Sequence, residues 1–367
     1  MIEKGKISAM QMALMMYPAI IATAILLVPA ITAHHAGQDM WLSPIWASFS
    51  GFLAVYITLR LHHYYPQKTA IEYSEQIAGK FFGKIIGFVF LFFYLHADGI
   101  VVREYGEFIV GNFLMRTPPI FVMGTMVFIC ALAVRGGVEV IGRLAEMIVP
   151  VVTLVILIFV ILLIPDMDAT NMLPIMEKGI IPSIKGAVTP QSWFSEFFLM
   201  AFFLPYLANG ENGKKWGIIS VLAVFLTLFI INITVLFVLG GITANFVYPV
   251  MSAVRYISIA DFLEHLEAFV MAVWVGGTFL KITVFYYVVA LGTAQWLNLP
   301  DYRMLVFPLG FLLLVFSEWI APSLMELSHL LATTVPFYLS SIQIVLPLIL
   351  LLIAKFRNRN RMKDGQK

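Results

Sequence analysis

Apolar residues fall in long blocks along this chain, divided by short polar breaks. Windows of about 19 residues, the length that reports a membrane helix, mark ten blocks: residues 10–33, 41–61, 81–111, 119–134, 144–164, 187–208, 217–240, 266–294, 304–320 and 333–356. An α-helix of about 20 residues crosses a hydrocarbon core of about 30 Å. The pattern therefore predicts an all-α integral membrane protein of about ten transmembrane helices. The loop 165–186, punctuated by Pro174 and Pro182, is expected to be an ordered surface segment, not a free linker.

The sixth block, AVTPQSWFSEFFLMAFFLPYLA, carries one carboxylate, Glu196, and Pro205 near its far end. A carboxylate inside a membrane is costly and usually faces a partner or a water-filled cavity. Two readings stand side by side: Glu196 lies near the outer headgroups, or it belongs to a broken helix lining a binding site. Ten spans divide into two sets of five, residues 10–164 and 187–356. Five is odd, so a repeat of the first set would lie inverted in the membrane. That arrangement puts a substrate site at the midplane between matching broken helices, here the first and the sixth. Each has a late proline, Pro29 and Pro205, and proline frees a carbonyl by removing a donor. Freed carbonyls and half-helix amides could then hold a zwitterion.

The third block would be about 46 Å long at 1.5 Å per residue, more than a bilayer core needs. Its far end, with Arg103, Glu104 and Glu107, is expected to be solvated. Tyr94, His96 and Asp98 lie deeper, and Tyr94 and Asp98 are candidates for an outward vestibule or a proton relay. In the eighth block Glu267, Trp274 and Lys281 recur every seven residues and share a helix face. Lys281 either pairs with Glu196 or snorkels toward the inner headgroups.

Composition narrows the class. Of 367 residues, 61% are hydrophobic and 12% charged, against roughly half and a quarter in soluble domains. That balance identifies a polytopic membrane protein. Lys and Arg collect on one side of the expected topology: Lys4, Lys6, Arg60, Lys68, Lys80, Lys84, Arg135, Arg143, Lys214, Lys215, Arg303 and the basic tail at 357–367. The other side has Arg116, Lys178, Lys185 and Arg255. The asymmetry puts both termini in the cytoplasm, with the tail as a topology anchor able to meet anionic membrane lipid. The single cysteine, Cys130, excludes an internal disulfide and offers no metal framework. His34-His35 and His62-His63 lie on opposite sides and cannot form one metal site. A polar start (Glu3, Lys4, Lys6) before a long first block argues against a cleavable signal peptide. No cofactor, nucleic-acid patch or nucleotide loop is expected, and no nucleophile–base pair points to an enzyme.

Tyr248-Pro249, Arg255-Tyr256-Ile257, Phe262-Leu263-Glu264, Glu267, Trp274, Phe279 and Lys281 form a further pattern. With it go the loop from Asn171 to Gly186 (NMLPI at its start), Ser195-Glu196, and Leu26 to Pro29. In order and spacing it resembles the B-subunit family of endospore nutrient-germinant receptors. That family is similar to the amino acid–polyamine–organocation transporter superfamily, whose fold is a five-plus-five inverted repeat. The resemblance implies a subunit of the spore inner membrane that works with an A-type membrane subunit and a C-type lipoprotein. It would bind a small nutrient, commonly an amino acid, and so start germination. Carried over by position, the superfamily's contacts fall on Ala22, Thr23, Ala24 and Ile25 in the first helix, and on Phe194, Ser195, Glu196 and Phe197 in the sixth. Trp274 would form a wall, and Lys281 would shape the charge of the pocket. The transporters usually have glycine at these breaks and this chain does not, which fits sensing better than rapid alternating access. A secondary amino-acid/H⁺ transporter and a channel subunit stay open as alternatives.

Overall fold

The computed structural model describes residues 2–208, 212–255 and 267–364, without the side chains of Glu267 and 358–364. Tyr256, Ile257, Phe262, Leu263 and Glu264 of the pattern above, and most of the basic tail's side chains, lie outside the described residues.

The first helix, α1 (Ala9–Ala36), begins at a reciprocal cap. Ser8 Oγ accepts from Gln11 N, and Gln11 Oε1 accepts from Ser8 N, which satisfies two otherwise orphan donors. A 3₁₀ turn at Gly37–Leu42 leads into α2 (Ser43–Tyr64). Then come α3 (Ala70–Ala78), α4 (Lys80–Asn112), α5 (Pro119–Gly136) and α6 (Val138–Leu163). The α3–α4 and α5–α6 corners turn on single residues, Gly79 and Gly137, at φ 84° and 89°. Only glycine adopts that conformation without steric cost.

The loop after α6 is ordered by backbone contacts: Met176 N donates to Asp39 Oδ1 (2.9 Å), and Asn171 Nδ2 to Phe237 O (3.0 Å). It ends in α7 (Ile181–Ala187). The second half comprises α8 (Pro190–Ser195), α9 (Met200–Phe203), α10 (Gly213–Leu239), α11 (Pro249–Val254), α12 (Glu267–Leu297), α13 (Val306–Ile320), α14 (Leu324–Thr333), α15 (Val335–Ser340) and α16 (Leu346–Asp364). A π-helical turn at Ser341–Val345 joins the last two.

Among the described residues, eight stretches are long and apolar enough to cross a membrane. Two of the expected blocks, the first and second, fall within one such stretch, Ala9–Tyr64. The sixth block is not one helix: α8 and α9 are short pieces separated and followed by 3₁₀ turns at Glu196–Leu199 and Leu204–Tyr206. Pro205 lies in the second turn. Just ahead of the first, within α8, Ser192 Oγ and Ser195 Oγ donate to carbonyls three residues back, a local pairing that competes with the α-helical ladder. Irregular backbone at membrane depth survives only where protein covers it. Here Phe194, Phe197, Phe198, Phe202 and Phe203 are all fully buried around it.

The expected break in the first helix is absent. The helix continues through Ala22–Pro29 with both prolines inside it, because no glycine loosens the backbone and neighbouring helices hold it. Thr32 Oγ1 donates to Val28 O (2.8 Å) and bonds Asn232 Oδ1 of α10 (2.7 Å). At its centre α1 packs against α6, α10 and α12.

The far end of α4 also departs from expectation. Arg103 and Glu104 are buried, not solvated. For Arg103 the reason is lateral packing: α13 lies along α4, and its Glu318 reaches Arg103 Nη1 (3.4 Å) while Glu107 holds Nη2 (2.6 Å). Glu104 lies within electrostatic reach of Lys281 on α12. Nor do Tyr94 and Asp98 line an open vestibule. Both are at 0% exposure, since α12 and α13 close over their helix face; Phe316 and Ile320 pack against Gly99 beside Asp98.

At the end of the bundle holding residues 2–8, the chain start is strapped down. Ile7 N donates to Tyr206 O (3.0 Å) and Ala208 N to Ile7 O (2.8 Å), forming a parallel bridge of Ile7 with Leu207. Glu3 is buried. It accepts from Lys4 N and Gly5 N (both 2.8 Å), from Tyr302 Oη (2.9 Å) and from Tyr287 Oη (3.3 Å).

Candidate functional site at the broken sixth block

Three chain segments meet around Thr23. Helix α1 carries Ala22 and Thr23, the 3₁₀ turn after α8 carries Glu196, and the middle of α12 carries Lys281. Lys281 is at 0% exposure and Glu196 at 3%, so neither reaches headgroups. The Lys281 ammonium donates to Glu196 Oε2 at 2.9 Å and to Thr23 Oγ1 at 3.0 Å. It also stands 5.5 Å from the centre of the Phe285 ring, within cation–π range. Trp193 Nε1 donates to the same Thr23 hydroxyl at 3.0 Å. One small side chain thus receives two donors and ties α1 to α8 and α12.

Such a pair is not kept for stability alone. Desolvating two charges costs several kcal/mol per ion, so a buried pair roughly breaks even against apolar replacements, whereas removing one partner costs about 3–5 kcal/mol. A charged pair at a helix break is chemically able to exchange partners with a ligand that brings both an ammonium and a carboxylate.

The other expected residues distribute around this centre. Trp274 lies two helical turns before Lys281 on α12 and donates from Nε1 to Ala22 O. Its ring packs on Phe108 at 4.2 Å and Tyr105 at 5.9 Å between centroids. Ala22, Ile25 and Trp274 border an apolar cavity of about 60 Å³ between α1, α6, α10, α11 and α12. Ala24 is fully buried. Ser195 meets Gln343 of the π-helical turn, whose Nε2 lies 3.4 Å from Ser195 Oγ. Phe194 and Phe197 turn instead toward α2, where a methyl group at Gly51 would come within 3.0 and 3.3 Å of their rings. They are not brought to the charged pair. Tyr94 packs on Phe202 and Phe285, one ring away from Lys281.

Trp193 and Gln343 belong to this neighbourhood and were not singled out by the sequence reading. A signal existed for Gln343, a lone amide within the apolar stretch 342–354. Trp193 gave none, since a tryptophan in an apolar block reads as packing.

A helical membrane bundle with an interrupted helix is a fold also found among membrane transporters. Comparison with solved structures agrees. The chain superposes on Mhp1, a nucleobase-cation-symport-1 family transporter solved closed with bromovinylhydantoin bound, with a TM-score of 0.66 over 95% of this chain and 78% of that one, at 12% identity. Residues 6–325 match the family described as spore germination protein, and the chain belongs to it. Relatives include spore germination protein KB of Bacillus subtilis (strain 168), 27% identical over 99% of this chain and 98% of the relative. Spore germination protein YndE of the same organism is 26% identical over 97% and 98%.

Proposed function

We propose that this protein is the germinant-sensing membrane subunit of a spore germination receptor, and that it binds a small nutrient, an amino acid, beside Thr23, Glu196 and Lys281. The observation that carries the reading is the buried Lys281–Glu196 pair at the break of the sixth block, in a chain of the spore germination family. A zwitterion offers an ammonium to Glu196 and a carboxylate to Lys281. Trp274 and the Ala22 side of α1 would flank its side chain. Binding signals only if it favours one of two conformations; an ion pair between α12 and the broken block supplies a contact that ligand could replace. The same reading includes a five-plus-five inverted repeat, a spore inner-membrane location with both termini cytoplasmic, and assembly with A-type and C-type receptor subunits. The unbroken α1 supports sensing over rapid transport.

The test is thermal stabilisation of the detergent-purified protein by single amino acids, sugars and nucleosides. One amino acid is expected to raise the melting temperature of the wild type, and not that of Glu196→Gln. Stabilisation that survives Glu196→Gln, or none with any nutrient, rejects this site. Saturable uptake of the same amino acid into proteoliposomes would reassign the protein to transport.

A further inference from the structure

Besides Glu196, two buried carboxylates of α4, Glu104 and Asp98, lie within the electrostatic reach of Lys281. Glu104 leaves one oxygen without a hydrogen-bond partner among the described residues, and Asp98 leaves both. Asp98 is fully enclosed. A carboxylate in that position is costly unless it holds a proton or meets a cation. The groups facing it are Lys281 and Tyr286 from α12 and Cys130 from α5, while α13 presents apolar Phe316 and Ile320 beside Gly99. Tyr286 Oη is committed to Val306 O, and Cys130 Sγ lies 3.6 Å from Phe279 O. Lys281 is therefore the cation available to Asp98. Its ammonium has three donors, two of them used on Glu196 and Thr23, on a flexible four-carbon stem.

We infer that Asp98 is the second counter-ion of Lys281, positioned to take the ammonium when a cationic group engages Glu196. The inference rests on the proposed placement of a ligand ammonium at Glu196. Two ammonium groups on one carboxylate would repel, and Asp98 gives Lys281 somewhere to go. The move would transfer an ionic contact from the broken sixth block to the α4–α12 interface. Ligand-free and ligand-bound states would then differ in which elements are held together.

The experiment needs no ligand, so its failure is separate from failure of the nutrient-binding screen. Glu196→Gln removes the charge, as an engaged carboxylate would. Glu196→Gln, Asp98→Asn, the double variant and a triple variant adding Lys281→Met are purified in detergent and unfolded by titration with sodium dodecyl sulfate. Because Asp98 takes the ammonium when Glu196 is neutralised, and Glu196 keeps it when Asp98 is, each single variant is expected to lose less stability than an uncompensated break of a buried pair would cost. The double should lower the folded-to-unfolded ratio at least about tenfold beyond the product of the single effects, as coupled neighbours do, and Lys281→Met should recover it. Multiplicative single effects, or a double variant that Lys281→Met does not rescue, overturn the inference. If the double fails to accumulate, the triple decides: accumulation supports a stranded ammonium as the defect, and its absence means that the carboxylates are structural only.

Discussion

Thr23→Val tests how the centre of the site is held. Valine keeps the branched shape of threonine but removes the hydroxyl that receives both Trp193 Nε1 and Lys281 Nζ, each at 3.0 Å. All three groups are buried, so no water replaces the lost acceptor without rearrangement. A buried donor left unsatisfied costs about 1–3 kcal/mol. Two such donors give about 2–5 kcal/mol, allowing Lys281 to strengthen its remaining bond to Glu196. Thr23→Ser keeps the hydroxyl and loses one methyl group, worth about 1 kcal/mol. Valine, the closer match in volume, should therefore be the worse replacement, by at least about 1 kcal/mol or about fivefold in the unfolding equilibrium. The assay is reversible unfolding of the purified variants in mixed micelles, with tryptophan fluorescence reporting the surroundings of Trp193. If Thr23→Val proved as stable as Thr23→Ser, the hydroxyl would not be the junction of α1, α8 and α12, and the argument would fail.

Further substitutions probe other contacts of the fold. Trp274→Phe keeps an aromatic ring against Phe108 and Tyr105 but loses the donor to Ala22 O; unfolding experiments should find a loss of about 1 kcal/mol. Gly137→Ala adds a side chain at φ 89°, with the new methyl group 3.1 Å from Glu3 Oε2. It should destabilise by at least about 1 kcal/mol, whereas alanine at Gly124, which has nothing within 4 Å, should be neutral or better. Glu3→Gln turns one acceptor oxygen into a donor facing groups that themselves donate. Amide exchange of residues 2–8 should quicken roughly tenfold or more while exchange within α1 stays unchanged.

What could be read in advance follows from what a linear pattern encodes. Block length and polarity placed α4, α10 and α12 within a few residues, because a helix in hydrocarbon must be apolar for its full span. Lys281 and Glu196 were visible for the converse reason, as ionisable residues where such groups are costly. Their partnership was only one of two readings, since contact between residues 85 apart depends on how helices pack. The same gap explains the errors. Pro29 predicts a break in α1, but a proline-freed carbonyl is tolerated when neighbouring helices and hydroxyls such as Thr32 support the turn. The excess length of α4 over a bilayer predicts solvated Arg103 and Glu104, yet α13 shelters Arg103 and Glu104 lies within reach of Lys281 on α12. Glu3, six residues ahead of the first helix, looked like ordinary polar sequence. Its burial follows from Tyr287 and Tyr302, which no local reading connects to it.

The clasp between Ile7 and Leu207 also bears on how the molecule is made. Residues 2–8 leave the ribosome well before their partners, Tyr206, Tyr287 and Tyr302, which are synthesised about 200 to 300 residues later. The tyrosine hydroxyls that Glu3 accepts from reach it only once α12 and the loop after it are in place. The opening residues are thus among the last to dock, and their docking reports that the second half has inserted correctly. A fusion partner attached ahead of Glu3 would burden that closing step, whereas one attached beyond α16 would not.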